Sequence, residues 1–210
     1  MIKLLIADDH AVVREGLKQI VSETNDMVIV GEVSNGQEVL EEVWRSECDV
    51  VLLDISMPGR SGVDILKQLR SESTKHPILI LTMYPEEQYA VRVLKAGASG
   101  YLTKRCEPEE LLAAIRKVSR GGKYISSSLA ETLAFEIVVD NTKPPHEKLS
   151  DREYQVMCMI ALGRKVKEIA VELSLSVKTI STHRTRILQK MNMKNNAEII
   201  RYAIKNKLVE

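Results

Sequence analysis

Along the first 120 positions, short apolar runs alternate with stripes of apolar residues at helical spacing. Val50 to Leu53 and Ile78 to Leu81 are four-residue runs, too short for helices but suited to strands buried on both faces of a parallel sheet. Lys3 to Ala7, the β-branched run Met27 to Val33, and a segment around Tyr101-Leu102 that stops at Lys104 add three more strands. Between them lie Val13, Leu17, Ile20 and Val21, then Val39, Leu40 and Val43, then Ile65, Leu66 and Leu69, then Ala90, Val93 and Leu94. Leu111, Leu112, Ile115 and Val118 complete the series, with Pro108 suited to the first turn and Gly121-Gly122 to the end of their helix. Five strand–helix alternations in about 120 residues call for a parallel sheet with right-handed crossovers and helices on both faces, a doubly wound α/β domain.

The pattern changes after residue 121. Ser126-Ser127-Ser128, an apolar stretch from Leu129 to Val139 and the run D-N-T-K-P-P-H-E-K predict a short helix and then a flexible, Pro-containing linker over 122–147. Leu149-Ser150-x-x-Glu153 has the form of a hydrophobic staple with a capping box, opening a helix with Val156, Met157 and Ile160 inward and Gly163 at its end. A second helix (Val166, Ile169, Ala170, Leu173) meets the turn Ser174-Leu175-Ser176, a third runs from Val177 to Met191, and a fourth from Asn196 to about Asn206 carries the stripe Ile199, Ile200, Ala203 and Ile204. The punctuation is that of a helix-turn-helix in an all-α four-helix domain over 148–210, and 1–121 is the α/β domain.

Charge divides the same way. Residues 1 to 147 hold 17 Lys and Arg against 23 Asp and Glu, and residues 148 to 210 hold 13 against 6, so a net charge of +1 conceals an acidic body and a basic tail. That asymmetry points to a regulatory site joined to a polyanion-binding module. Cys48, Cys106 and Cys158 have neither disulfide nor zinc spacing. The start, M-I-K-L-L-I-A-D-D, is apolar too briefly for a signal peptide, and no run approaches the roughly 18 apolar residues of a membrane span, so a cytoplasmic protein without membrane attachment is expected.

In an open α/β sheet, ligand sites lie at the carboxyl ends of the strands, which gathers Asp8, Asp9, Asp54, Thr82 and Lys104 at one edge. Three carboxylates in one place repel unless a divalent cation joins them, and oxygen ligands with room for water suit Mg²⁺. Asp54, alone at a central strand end, is then placed to act as a nucleophile and form an aspartyl phosphate, with Asp8 and Asp9 as metal ligands. Lys104 offers a cation for a phosphoryl oxygen, and Thr82 a hydroxyl.

Asp8-Asp9, D-I-S-M-P-G-R-S-G at 54 to 62, L-T at 81 to 82 and G-Y-L-T-K at 100 to 104 resemble the receiver domain of two-component response regulators. L-S-D-R-E (149 to 153), G-R-K-V-K-E-I-A (163 to 170) and L-S-L-S-V-K-T-I-S-T-H (173 to 183) are similar to the LuxR-type helix-turn-helix, and the combination resembles the NarL/FixJ subfamily over nearly the whole chain. The resemblance implies a strand order of 2-1-3-4-5 and phosphorylation of Asp54 by a sensor histidine kinase. It implies Mg²⁺ on Asp9, Asp54 and the Ser56 carbonyl with Asp8 assisting, and Thr82 and Lys104 on the phosphoryl group. Movement of Thr82 would let Tyr101 turn inward, unless Tyr101 is an ordinary edge-strand aromatic. Double-stranded promoter DNA and a homodimer follow, with RNA polymerase a further partner.

The third C-terminal helix, read as the recognition helix, puts Ile180, Ile187, Leu188 and Met191 inward and Lys178, Thr179, Ser181, Thr182, Thr185 and Arg186 toward DNA. Lys165, Lys167, Arg184 and Lys190 extend the phosphate track. His183 either supports the helix beside a phosphate or is a hydrogen-bonded core histidine. Ile199, Ile200 and Ala203 are the dimer contacts expected by resemblance, although their stripe is core by default. Arg105 follows Lys104 where receivers commonly have Pro, and Met83 follows Thr82 where many have a small residue, which would narrow the phosphoryl site. Two other functions stay open: a phosphatase with an aspartyl nucleophile, for which Asp54-Ile55-Ser56 lacks the second acid of D-x-D, and a receiver acting by protein contact alone.

Overall fold

The computed structural model describes the chain except residues 58–59, 73–75, 128, 132, 134–143 and 210. It divides into two compact units, Met1–Ala130 and Glu131–Glu210. In the first, strands β1 (Ile2–Ala7), β2 (Met27–Val33), β3 (Val50–Leu53), β4 (Ile78–Thr82) and β5 (Gly100–Thr103) form one parallel sheet in the order β2-β1-β3-β4-β5. Every residue of β3 and β4 is buried, as their uniformly apolar runs require. β2, at one edge, is mostly half-buried, and its register slips by one residue opposite Leu4 and Leu5.

Helices α1 (Ala11–Ser22), α2 (Gly36–Arg45), α3 (Gly62–Ser71), α4 (Glu86–Lys95) and α5 (Pro108–Ser119) connect and follow the strands. Leu17 and Val21 of α1 and Leu111, Ala114, Ile115 and Val118 of α5 pack with Leu4, Ile6, Leu52, Leu79 and Leu81 in one core cluster. Because alternate strand residues face opposite ways, Leu5, Val51, Leu53 and Ile80 belong to the other face of the sheet.

The chain past α5 remains attached to the sheet. Tyr124 bridges Gly100 in parallel, with Tyr124 N–H donating to Ser99 O at 2.9 Å and Tyr101 N–H to Tyr124 O at 3.3 Å. Ser126 Oγ lies 2.5 Å from Glu86 Oε2 in the first turn of α4, and Leu129 is buried. The expected short helix is seen at residues 127, 129–131 and 133, and most of the expected flexible stretch lies outside the described residues. Pro145–Lys148 is not irregular but forms a 3-10 helix, because Pro at its start fixes the helical φ.

The second unit consists of α6 (Asp151–Ala161), α7 (Val166–Glu172), α8 (Val177–Lys190) and α9 (Asn196–Lys205) after that 3-10 turn. The capping box opening α6 is present in both directions, Ser150 N–H to Glu153 Oε2 at 2.8 Å and Glu153 N–H to Ser150 Oγ at 3.3 Å. The turn from α7 to α8 places Ser174 at φ 51, and Leu175 N–H reaches back to Ala170 O at 2.8 Å, the closure of a helix by a left-handed residue. Ser176 then caps α8 by accepting from Thr179 N–H at 3.0 Å. Among the described residues, no helix is long and apolar enough to cross a membrane.

Candidate functional site

The sheet brings the expected acidic residues together. Asp54 N–H donates to Ala7 O at 2.9 Å and Lys104 N–H to Thr82 O at 2.7 Å, so the ladders hold residues just beyond β1, β3, β4 and β5 side by side. Asp8 and Asp54 are 2% and 1% exposed. Lys104 Nζ lies 2.7 Å from Asp54 Oδ2 and 2.7 Å from Asp8 Oδ2, its side chain 4% exposed. Burial alone would lower the Lys104 amine, but the two carboxylates reverse this and hold it above its ordinary value. Ser56 N–H and Oγ donate to Asp54 Oδ1 at 3.0 and 2.8 Å, and Arg14 Nη1 donates to the Asp8 carbonyl at 2.7 Å.

Two buried oxygens remain unsatisfied here: Asp9 Oδ1 and Thr82 Oγ1 have no hydrogen-bond partner among the described residues. One ligand atom each from Asp8, Asp9, His10 and Asp54 lies within 4.8 Å of the others. An oxygen-rich set with spare lone pairs has the chemistry of a site for a hard divalent cation. Met83, at the end of β4, is 53% exposed and so does not occupy the interior beside Thr82.

Tyr101 is fully buried, with its hydroxyl donating to Tyr84 O at 2.7 Å and Pro85 O at 3.3 Å. Burial, reinforced by Glu86 and Asp54, pushes the phenol far above its ordinary value, so it stays a donor. The inward position ties β5 to the segment between Thr82 and α4.

On α8, Ile180, Ile187 and Met191 are buried and Leu188 half-buried, as the spacing predicts. Lys178, Ser181, Thr182, Thr185 and Arg186 are exposed, as are Lys165 and Lys167 near the start of α7. The hydroxyls of Ser181, Thr182 and Thr185 donate to carbonyls four residues back, bonds easily exchanged for a ligand. Thr179 is half-buried, its hydroxyl 2.8 Å from Ser176 Oγ. His183 is half-buried: its Nδ1 has no partner among the described residues, and burial depresses the imidazole.

Residues 4–116 match the response regulator receiver domain family, and residues 147–203 match the bacterial regulatory proteins of the luxR family. Oxygen regulatory protein NreC of Staphylococcus carnosus is 40% identical over 215 residues, covering 99% of each chain. This chain is a LuxR-family response regulator. RcsB of Salmonella enterica serovar Typhimurium, bound to promoter P1flhDC in the presence of phosphomimetic BeF3−, is 25% identical to the response regulator with a TM-score of 0.60, covering 96% of this chain and 97% of that one. A structure of two RcsB dimers bound to two parallel DNAs gives 26% identity and a TM-score of 0.59, covering 100% and 99%. The response regulator is of the NarL/FixJ type and joins a two-component receiver to a LuxR-type DNA-binding domain in transcription regulation, as its motifs led us to expect.

Several expected contacts need correction. Ile199 and Ala203 are 0% exposed in the core of their own domain and cannot meet a second copy of the response regulator without unfolding it. Ile200 is half-buried, and Ile204, expected inward, is 58% exposed. Arg184 Nε lies 2.6 Å from Asn196 Oδ1, and Lys190 Nζ 2.6 Å from Glu153 Oε2, so both cations already serve the fold. Sequence reading also missed His10, whose Nδ1 stands 3.2 Å from Asp8 Oδ1 and 3.0 Å from Asp9 Oδ1. The signal was available: a histidine directly after the acidic pair, where a helix cap of Ser, Thr, Asn or Asp is usual.

Proposed function

We propose that Asp54 is the phosphoacceptor through which a sensor histidine kinase controls promoter binding by this chain. The observation that carries the reading is Lys104, an enclosed ammonium 2.7 Å from both Asp54 and Asp8, beside the unsatisfied oxygens of Asp9 and Thr82. An Asp54 oxygen attacks the phosphorus of a phosphohistidine, the P–N bond breaks, and the kinase imidazole leaves. Lys104 is poised to exchange a carboxylate oxygen for a phosphoryl oxygen, and the Thr82 hydroxyl to donate to another. Asp8, Asp9, Asp54 and the Ser56 carbonyl would hold Mg²⁺, which supplies positive charge and a site for a phosphoryl oxygen. Movement at Thr82 reaches Tyr84 and Pro85, whose carbonyls receive the Tyr101 hydroxyl.

The output is DNA binding rather than turnover of a substrate. Exposure supports Lys178, Ser181, Thr182, Thr185, Arg186 and Lys165 as the DNA face of α8 and α7, with Thr179 at its edge. Arg184 and Lys190 would reach phosphates only by leaving Asn196 and Glu153. The RcsB dimers bound to DNA support a homodimer on promoter DNA. RNA polymerase as the downstream partner and the cytoplasm as its place belong to the same reading and rest on the sequence motifs. The division 1–121, 122–147 and 148–210 assigns receiver, linker and DNA-binding domain. A phosphorylated kinase should label the wild type and leave Asp54→Ala unlabelled, and phosphorylation should strengthen binding to selected promoter duplexes. Label retained by Asp54→Ala would overturn the assignment.

A further inference from the structure

His10 is the N-cap of α1, with φ −86 and ψ 106, yet its side chain makes no capping hydrogen bond. The imidazole turns to the carboxylates instead, Nδ1 lying 3.2 Å from Asp8 Oδ1 and 3.0 Å from Asp9 Oδ1. Asp9 Oδ1 is buried and, despite that proximity, lacks a hydrogen-bond partner among the described residues. A ligand atom of His10 also falls within 4.8 Å of one from each of Asp8, Asp9 and Asp54. Opposite ligands on a small divalent ion stand about 4.2 Å apart, at about 2.1 Å per bond, so a small side-chain rotation brings all four to one centre.

We propose that His10 supplies an imidazole nitrogen to the divalent-metal site and shifts its preference from Mg²⁺ toward Mn²⁺ and the later first-row ions. The inference rests on the reading of the acidic cluster as a metal site. Carboxylates alone suit Mg²⁺, which gives up water reluctantly and gains little from nitrogen. Imidazole favours first-row transition ions, so a mixed set of three carboxylates and one nitrogen discriminates among divalent ions in a way that an all-oxygen set does not. Occupancy of the site would then follow transition-metal supply as well as Mg²⁺.

The test uses the full-length protein with Mn²⁺ and Mg²⁺ as probes, in wild type, His10→Ala, His10→Gln and Asp9→Asn. Calorimetric titration gives the affinities, and pulsed electron paramagnetic resonance of bound Mn²⁺ reports nitrogen ligation directly. Expected are a ¹⁴N coupling in the wild type that His10→Ala abolishes, and a ratio of Mn²⁺ to Mg²⁺ affinity at least about tenfold lower in that variant, the loss usual even for partners outside the ligand shell. His10→Gln should keep Mg²⁺ binding and lose the coupling. Mn²⁺ bound without ¹⁴N coupling, at a ratio unchanged by His10→Ala, overturns the role of His10 and leaves the metal site standing. Metal binding that is absent, or indifferent to Asp9→Asn, overturns the metal-site reading and the inference with it.

Discussion

Lys190 belongs by position to the basic face of α8, yet it neutralises a carboxylate inside its own domain. Glu153, its side chain 4% exposed, receives Lys190 Nζ at 2.6 Å and Ser150 N–H at 2.8 Å. Burial would raise this carboxyl, but Lys190 and Ser150 outweigh it and hold it below the usual value of 4.5. A carboxyl depressed in the folded state gives stability that is present above its unfolded pKa and lost as pH falls through the folded value. Lys190→Ala should therefore weaken the DNA-binding domain by about 1–3 kcal/mol at pH 7, the loss usual for a hydrogen bond to a charged group. As pH falls through the ordinary carboxyl value of 4.5 toward the depressed one, the variant should lose less than the wild type, because the depression that acid removes is already diminished. Calorimetric unfolding across that range checks both signs. Lys178 is exposed on the same helix and offers the contrast. Lys178→Ala should flatten the salt dependence of promoter binding by roughly one unit of log K per log salt, and Lys190→Ala should leave that slope unchanged.

At the scale of elements, runs such as Val50 to Leu53 made the strands legible, because a buried parallel strand tolerates no polar residue. The convergence of Asp8, Asp54 and Lys104 followed from the α/β alternation, since such sheets place their sites at strand ends, whereas the order of the sheet came from the resemblance of the motifs. Less legible was what each glycine does. Gly62, the last residue of the D-I-S-M-P-G-R-S-G motif, is the first residue of α3, where a Cβ would lie 2.5 Å from Asp54 O and 2.6 Å from Ile55 Cα. The obstacles are backbone and cannot rotate away. Gly62→Ala should push α3 from the end of β3, costing about 1–3 kcal/mol by overpacking and slowing phosphorylation of Asp54, seen in melts and labelling rates. The bridge at Tyr124 was illegible for a related reason, since a single bridge leaves no periodic pattern. Gly100 lets the segment after α5 approach: a Cβ there would meet Tyr124 O at 2.7 Å. Gly100→Ala should detach the segment, and amide exchange at Tyr101 and Tyr124 should quicken while α1 stays protected.

Over the whole molecule, the sequence made visible what is local and repeated, the acidic and basic halves and the two sets of motifs. Single contacts between distant residues escaped it, among them Ser126 with Glu86 and Lys190 with Glu153, because one hydrogen bond constrains no spacing. The function proposed for the response regulator is a coupling of the same long-range kind, from Asp54 in one compact unit to α8 in the other. Coupling between binding equilibria is reciprocal. If a phosphomimetic on the receiver raises promoter affinity tenfold, promoter DNA must raise affinity for the phosphomimetic tenfold, and each shift represents about 1.4 kcal/mol. Titrating Mg²⁺ and BeF3− into the full chain, with and without a selected duplex, measures the second arm directly. Equal factors place the control in the protein's own conformational or dimerisation equilibrium. A phosphomimetic affinity indifferent to DNA, beside a promoter affinity that does respond to kinase in the cell, would put the control outside this chain. Asp54→Ala supplies the reference, since it should bind the duplex while losing both arms of the cycle.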